Sequence, residues 1–374
     1  MLYILNNTYV PNTAISNRLL GYYGAMDQLG IDVTVVYLQP DDKMSKIGEK
    51  YNSVKVLYLW ENGYYSCKFL RSIYVVLNLY RFKFMLKDGD VVYTYGINKG
   101  TQSIINKDGV KVYAECTEYP KFSSKGRFSL DVKKMNEVAR CLDGLFVISS
   151  SLKVYYREQG VPEERIHIVN MIVDSSRFNG LNKSQNVAHK YIAYCGSATN
   201  NKDGVDKLIH SFSIVHKYFP NLWLYIIGAT IANESNENHK LACSLGVSDK
   251  VNFTGLVSAD VVPQLLKDAE VCVLNRPDSI QSQYGFPTKL GEYLLSENPV
   301  VVTNVGDIPL FLEDGVSALI SSPESNEEFA EKILWALNNK EKAAIIGKNG
   351  ADVAMTHFNA KIETKKLLEV MTGD

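Results

Sequence analysis

The chain has 374 residues, 46% of them hydrophobic, which is too long for one ordinary core and enough apolar material for two domains of about 150 to 200 residues. Forty basic and forty-one acidic side chains leave a formal net charge of -1, so bulk electrostatics do not favour nucleic acid as a partner. The six cysteines (Cys67, Cys116, Cys141, Cys195, Cys243 and Cys272) are scattered without metal-ligand spacing, which excludes a structural zinc site and fits a reducing cytoplasm.

Met1-Leu-Tyr-Ile-Leu-Asn enters a strand directly, without a basic leader, and no apolar run reaches about 18 residues; the expectation is a soluble, cytoplasmic, unexported protein. Leu2 to Leu5 reads as a strand, Asn6 to Asn12 as a loop, about Thr13 to Leu29 as a helix ended by Gly30, and Val33 to Tyr37 as a second strand. Further strands are expected at Val54 to Leu59, Val91 to Tyr95, Val110 to Ala114 and Leu145 to Ile148. Helices are expected around Phe69 to Leu86, Leu130 to Cys141 and Leu152 to Gln159. Such alternation argues for a parallel, doubly wound α/β sheet with helices on both faces.

Asp88-Gly-Asp90 precedes a strand and reads as a turn, and Ser149-Ser-Ser151 as the cap of the following helix. Lys68 to Lys87 is apolar and aromatic with basic residues throughout. It suits either a core helix with a basic outer edge or a helix lying on an anionic membrane surface, which would place the protein peripherally at the inner face.

A second cycle follows the polar passage Asn179 to Asn186. Strands are expected at Tyr191 to Tyr194, Leu222 to Ile227, Val251 to Phe253, Val271 to Leu274, Pro299 to Val302 and Ala318 to Ile320. Helices are expected at Gly204 to Tyr218, Val261 to Leu266, Glu327 to Leu337 and Glu341 to Met355. His210 and His216 fall on the first of these helices as surface or packing residues. The expected division is 1–180 and 187–356, with a last helix (358–374) packing back on the first lobe.

Two stretches of the second cycle suit a phosphate-bearing ligand. In Gly196-Ser-Ala-Thr-Asn-Asn-Lys202-Asp-Gly204, small residues let a ligand approach the backbone and Lys202 places an ammonium near a helix start. In Tyr284-Gly-Phe-Pro-Thr-Lys-Leu-Gly-Glu292, Gly285 opens a turn, Pro287 suits the first helical position, and Leu290, Leu294 and Leu295 form an apolar stripe. A helix is therefore expected from about Pro287, stopped by Asn298-Pro299. Glu292, one turn in, could accept two neighbouring hydroxyls.

Gly196 to Gly204, Gly228 and the run Gly-Phe-Pro-Thr-Lys-Leu-Gly-Glu-Tyr-Leu-(x)4-Pro-Val-Val, followed by Asn-Val-Gly-Asp and Leu-Glu-Asp-Gly315, together resemble the second lobe of glycosyltransferase family 4, the retaining sugar-nucleotide transferases of GT-B fold. The resemblance reaches back through Val169 to Phe178 and thins toward the amino terminus. It implies two Rossmann-like lobes facing each other across a cleft, with an acceptor (a glycan or a lipid-linked hydroxyl) on the first and a nucleoside diphosphate sugar on the second.

Carried over residue by residue, the resemblance implies that Lys202 pairs with the donor diphosphate and that Glu292 holds the ribose hydroxyls. The amides of Thr288 and Lys289 would face phosphate. Gly196, Ser197, Gly228, Arg276, Gly285, Phe286 and Pro287 would complete the donor site. No metal or cofactor is implied, because cationic side chains and helix amides neutralise the leaving diphosphate. Three departures stand out: Tyr284 replaces an acidic residue, Ser197 replaces an arginine for which Arg276 or Lys289 could substitute, and no histidine precedes His167. Glu115 or Glu118, just beyond a first-lobe strand, could take that histidine's place as a catalytic contact.

The expected activity is hexosyl transfer to a hydroxyl with retention, in bacterial surface polysaccharide synthesis. A nucleotide-sugar-binding protein without turnover and a GT-B sugar-nucleotide epimerase are the alternatives. A dinucleotide oxidoreductase is opposed by the lack of Gly-x-Gly-x-x-Gly after either opening strand.

Overall fold

The structure, a computed structural model, describes residues 1–7, 10, 13–39, 50–57, 59, 68–123, 128–228 and 232–373. Cys67 and part of the expected loop Asn6 to Asn12 lie outside the described residues. The chain divides into two units, Met1–Asn170 with Ala360–Asp374 and Met171–Asn359.

Unit 1 carries, among the described residues, a seven-stranded sheet ordered β3-β2-β1-β4-β5-β6-β7. Its strands are β1 Leu2–Asn6, β2 Val33–Tyr37, β3 Val54–Leu57, β4 Val91–Tyr95, β5 Lys111–Cys116, β6 Gly144–Val147 and β7 Ile166–Ile168. All of its ladders are parallel. The strand order reverses between β1 and β4. Local chemistry sets the first helix: Thr13 accepts the Ser16 amide at 3.2 Å, and Gly30 closes Ala14–Leu29 in the left-handed conformation that a side chain disfavours. Asp90 accepts the Lys87 amide and the amino terminus at the turn before β4, and Ser149 caps the helix Ser150–Glu158.

The last helix, Ala360–Thr372, belongs to unit 1 and packs on Ala14–Leu29. Glu363, with no exposed surface, accepts the Asn170 amide at 2.8 Å and the Lys366 ammonium at 2.6 Å. Tyr113 donates to the Val370 carbonyl. A helix distant in sequence is thereby fixed to the end of the segment that follows β7.

Unit 2 carries, among the described residues, a six-stranded parallel sheet ordered β10-β9-β8-β11-β12-β13. The strands are β8 Tyr191–Cys195, β9 Trp223–Ile227, β10 Val251–Gly255, β11 Val271–Leu274, β12 Val300–Thr303 and β13 Leu319–Ser321. β8, β11 and β12 are almost wholly buried, as near-continuous apolar runs covered on both faces require. The order reverses between β8 and β11, and the carboxyl ends of strands at such a switch are where open α/β sheets accept ligands.

Several elements differ from expectation, among them β7 Ile166–Ile168 and the helices Lys99–Ile104, Ile280–Tyr284 and Ile308–Phe311, for which no element was expected. The helix expected from Pro287 begins later, at Lys289–Leu295, because Phe286 and Pro287 are buried and the backbone turns only at Thr288. The helix Ala232–Ser244 was not expected at all: Asn-Glu-Ser-Asn-Glu-Asn-His carries no apolar stripe for a periodicity argument.

Gly204 ends the short helix Asn200–Asp203 and opens Val205–Tyr218 at φ 64°, where any Cβ would collide with the Asn275 carbonyl beyond β11. Gly204→Ala combines a disfavoured backbone with a backbone clash and should destabilise unit 2 by at least about 3 kcal/mol. Gly246→Ala, at φ 70° with open space around it, should cost only about 1 kcal/mol; urea unfolding of both variants checks the contrast.

Candidate active site

The chemistry-bearing residues of unit 2 collect at the carboxyl ends of β8 and β11. β8 ends at Cys195, and the chain turns through Gly196 into the exposed Ser197. Gly228, just past β9 at φ 127°, lies so close to the Gly196 carbonyl that any Cβ there would collide with it. The Gly196 amide meanwhile donates to the Ile227 carbonyl at 2.8 Å. The two glycines let the β8 and β9 ends converge and leave backbone where side chains would otherwise stand.

Asp203 is the centre of this loop. It is 3% exposed, and its carboxylate accepts the Lys289 ammonium at 2.6 Å and the Tyr194 hydroxyl at 2.8 Å, with Arg276 Nε at 3.9 Å. Burial alone would raise the Asp203 carboxyl, but Lys289 and then Arg276 bring it below its ordinary value. Burial lowers the Lys289 ammonium; Asp203 opposes this, and Arg276 and Lys202 push the same way as burial. Lys289 Nζ also donates to Tyr194 at 2.8 Å and rests against Gly196.

Lys202 sits beside Asp203, half-buried, and its carbonyl accepts Arg276 Nε at 3.2 Å. Two cations, Lys289 and Arg276, thus face one buried carboxylate, and the charge of the neighbouring Lys202 acts on Lys289. The helix Lys289–Leu295 is tied to β8 by Tyr293, whose hydroxyl donates to the Cys195 carbonyl at 2.9 Å and accepts the Cys195 amide at 2.5 Å. Burial, first, and Glu292 push the Cys195 thiol up to about 12, so it is a packing residue and not a nucleophile.

Glu292 is half-buried one turn along that helix and forms an ion pair with Arg177, whose guanidinium also donates to the Ala259 carbonyl at 2.5 Å. Burial raises the Glu292 carboxyl, and Arg177 acts against that rise. Arg177 lies in the stretch Val169 to Phe178 that the sequence singled out, but nothing there pointed to Glu292 as its partner. Tyr194 and Asp203 went unrecognised for the same reason, since only the tertiary structure brings them to Lys289.

Several expected site residues are placed differently. Arg276 is 1% exposed, and its Nε faces Asp203 and donates to the Lys202 carbonyl, so it holds the loop. Phe286 is buried against Phe311 and Phe358, with ring centroids 5.5 Å and 5.4 Å away, as a packing residue. Pro287 is buried too, and its carbonyl accepts the Leu290 amide. Gly285 follows the helix Ile280–Tyr284 and donates to the Gln281 carbonyl, while Thr288 is exposed at the cap of the next helix.

In unit 1 the structure separates the two glutamates. Glu115, on β5, has no exposed surface. One carboxylate oxygen accepts Arg18 Nε at 2.7 Å and Nη2 at 2.5 Å, while Tyr22 and Tyr93 donate their hydroxyls to the same carboxylate. Arg18 Nη2 also donates to the Val169 carbonyl at 3.2 Å. Burial works against the Arg18 charge, but Glu115 together with Tyr22 and Tyr95 raises the guanidinium above its ordinary value. A carboxylate enclosed in this way cannot touch a substrate, so the catalytic role expected for Glu115 is withdrawn. Glu118, two residues beyond β5, is half-exposed.

Comparison with known proteins places this site in a family context. Residues 180–353, which include all of the donor-site candidates, match the family model of glycosyl transferases group 1. The chain is 25% identical over 240 residues to mannosylfructose-phosphate synthase of Agrobacterium fabrum, covering 59% of this chain and 51% of that protein. It is 26% identical over 231 residues to the MMP alpha-(1->4)-mannosyltransferase of Mycolicibacterium hassiacum, covering 61% and 53%. The chain therefore spans about half the length of these curated relatives. The crystal structure of HepE from Anabaena in complex with UDP superimposes with a TM-score of 0.73 at 16% identity over 100% of both chains, a likeness of GT-B fold.

Lys289→Met strands the buried Asp203 carboxylate and should destabilise unit 2 by about 3 to 5 kcal/mol, with much of the loss recovered on adding Asp203→Asn. Glu115→Ala should destabilise unit 1 by a similar amount of about 3 to 5 kcal/mol, against under about 1 kcal/mol for Glu118→Ala. Hydrogen exchange of peptides from β8, β11, β4 and β5 measures each effect in its own unit.

Proposed function

We propose that the protein is a glycosyltransferase that moves a hexosyl group from a nucleoside diphosphate sugar to a hydroxyl of a glycan or lipid-linked acceptor, with retention at the anomeric carbon. The observation that carries this reading is the glycine-lined end of β8 and β11, where the Lys289 ammonium, held by Asp203, lies against Gly196, and Lys202 next to Asp203 in the chain adds a second positive charge that acts on Lys289. A diphosphate brings two or three negative charges to that position, and stabilising them as the glycosidic bond breaks is the main electrostatic demand of sugar transfer from a nucleotide. Lys202 and Lys289 meet it directly. Arg276 meets it indirectly by fixing the carbonyl of Lys202, and Asp203 keeps the Lys289 ammonium aimed at the glycine turn.

The exposed Thr288 and the start of the helix Lys289–Leu295 face the second phosphate, and Glu292 accepts the ribose hydroxyls. Arg177 already neutralises part of the Glu292 charge, so the ribose completes a site whose carboxylate is oriented in advance. Ser197, exposed beside Gly196, reaches the donor as a neutral hydrogen-bonding group. On unit 1, Glu118 is the remaining candidate for the acceptor hydroxyl, since Glu115 is enclosed. A mannosyltransferase and a mannosylfructose-phosphate synthase among the curated relatives, and UDP in a solved structural neighbour, support mannose and other hexoses on UDP among the first donors to test. Retention is supported by the family resemblance, and bacterial surface polysaccharide synthesis is the context in which such acceptors arise.

Thermal-shift titration with nucleoside diphosphates, their sugar conjugates and nicotinamide dinucleotides tests the reading. A cognate donor at a hundred times its Kd should stabilise the protein by about 2.7 kcal/mol. Glu292→Gln should weaken that donor about 10- to 100-fold, as expected for one charged hydrogen-bonding partner removed, with Lys202→Ala weakening diphosphate-bearing ligands more than nucleosides. Unchanged donor affinity in Glu292→Gln counts against the ribose role, and a response to nicotinamide dinucleotides alone overturns the transferase reading. The anomeric configuration of the product reports on retention.

A further inference from the structure

The helix Lys68–Met85 is apolar on two opposite sides. Val75, Leu79, Phe82 and Leu86 just past its end are buried, with Asn78 between them donating to the Leu38 carbonyl at 3.0 Å and Phe82 edge-on to Tyr3. This face docks the helix on unit 1. About half a turn around, Ile73, Val76, Leu77, Tyr80 and Phe84 follow the i, i+3, i+4, i+7, i+11 spacing of one helical stripe, and all five are exposed. Phe84 is 83% and Tyr80 60% exposed, which is far from the packing a core helix needs.

The charge around the stripe identifies what covers it. From Lys68 to Lys87 the sequence holds five basic residues and no acidic one, in a chain whose overall charge is -1. Arg81 is exposed on one border of the stripe and Lys83 is half-exposed on the other, with Lys87 exposed just beyond the helix. A second copy of the chain packed symmetrically on this stripe would bring like charges together, which disfavours self-association. An anionic lipid surface instead meets the cations with opposite charge and takes the aromatic and aliphatic side chains into its headgroup boundary. No helix among the described residues is long and apolar enough to cross a membrane, so the contact is one of lying on the surface.

We propose that the stripe Ile73, Val76, Leu77, Tyr80 and Phe84 is a docking surface for an anionic lipid bilayer, with Arg81, Lys83 and Lys87 supplying the charge. The proposal is independent of the donor-site reading, because it uses none of the residues of unit 2. It brings unit 1 to a membrane and so favours acceptors held there.

Co-sedimentation of the full chain with vesicles of phosphatidylcholine alone, and of phosphatidylcholine containing phosphatidylglycerol, tests it. Binding is expected to the mixed vesicles, to fall as salt is raised, and to be weak for pure phosphatidylcholine. The double variant Tyr80→Ser/Phe84→Ser should lower partitioning at least about tenfold and Lys83→Gln about fivefold. Both should leave the thermal unfolding and the nucleotide response of the protein unchanged, since the substituted side chains stand away from the buried face. Equal partitioning of wild type and the double variant, or no binding to either vesicle, overturns the proposal. Self-association in sedimentation velocity that the double variant abolishes, without vesicle binding, also overturns it and assigns the stripe to a protein contact.

Discussion

The buried Asp203 carboxylate is the interaction on which the candidate site of unit 2 depends. Its three partners come from three places in the chain: Tyr194 on β8, Arg276 after β11 and Lys289 at the start of a helix more than eighty residues on. A carboxylate at 3% exposure is costly unless each of its oxygens is satisfied by positive charge or a donated hydrogen bond, so these elements are held at fixed distances from one another. The consequence for function is geometric. With Asp203 in place, the Lys289 ammonium is held against Gly196 at the carboxyl end of β8.

Unit 1 uses the same physical device for a different end. Glu115 and Arg18 form a buried pair closed by Tyr22 and Tyr93, and Arg18 extends the network to the Val169 carbonyl. The pair joins the first helix to β5 and to the segment that follows β7. Glu363 does likewise for the terminal helix through the Asn170 amide. Charged groups here serve as fixed joints between distant segments, whereas Glu118, past the carboxyl end of β5, is half-exposed. The contrast between Glu115 and Glu118, three residues apart and on opposite sides of the boundary between core and solvent, follows from where the strand ends.

The sequence by itself determined the alternation of strands and helices, because short, β-branched apolar runs such as Val271–Leu274 and Val300–Thr303, set off by turn residues, favour covered strands. Capping residues such as Thr13, Gly30 and Ser149 act over a few residues and were legible for that reason. The glycine-rich turn at Gly196 and the Pro-Thr-Lys run before Glu292 were legible as well, since their chemistry is written in consecutive residues. Partnerships were not. That Glu115 is enclosed while Glu118 is not, that Arg276 and Phe286 are buried, and that Arg177 meets Glu292 all depend on residues tens to hundreds of positions apart. The same holds for the helix Lys68–Met85, whose composition allowed two readings until the fold showed which of its two apolar faces the core leaves uncovered. Local pattern decides which element forms, whereas burial and charge pairing are properties of the packed whole, and only the tertiary structure decided those.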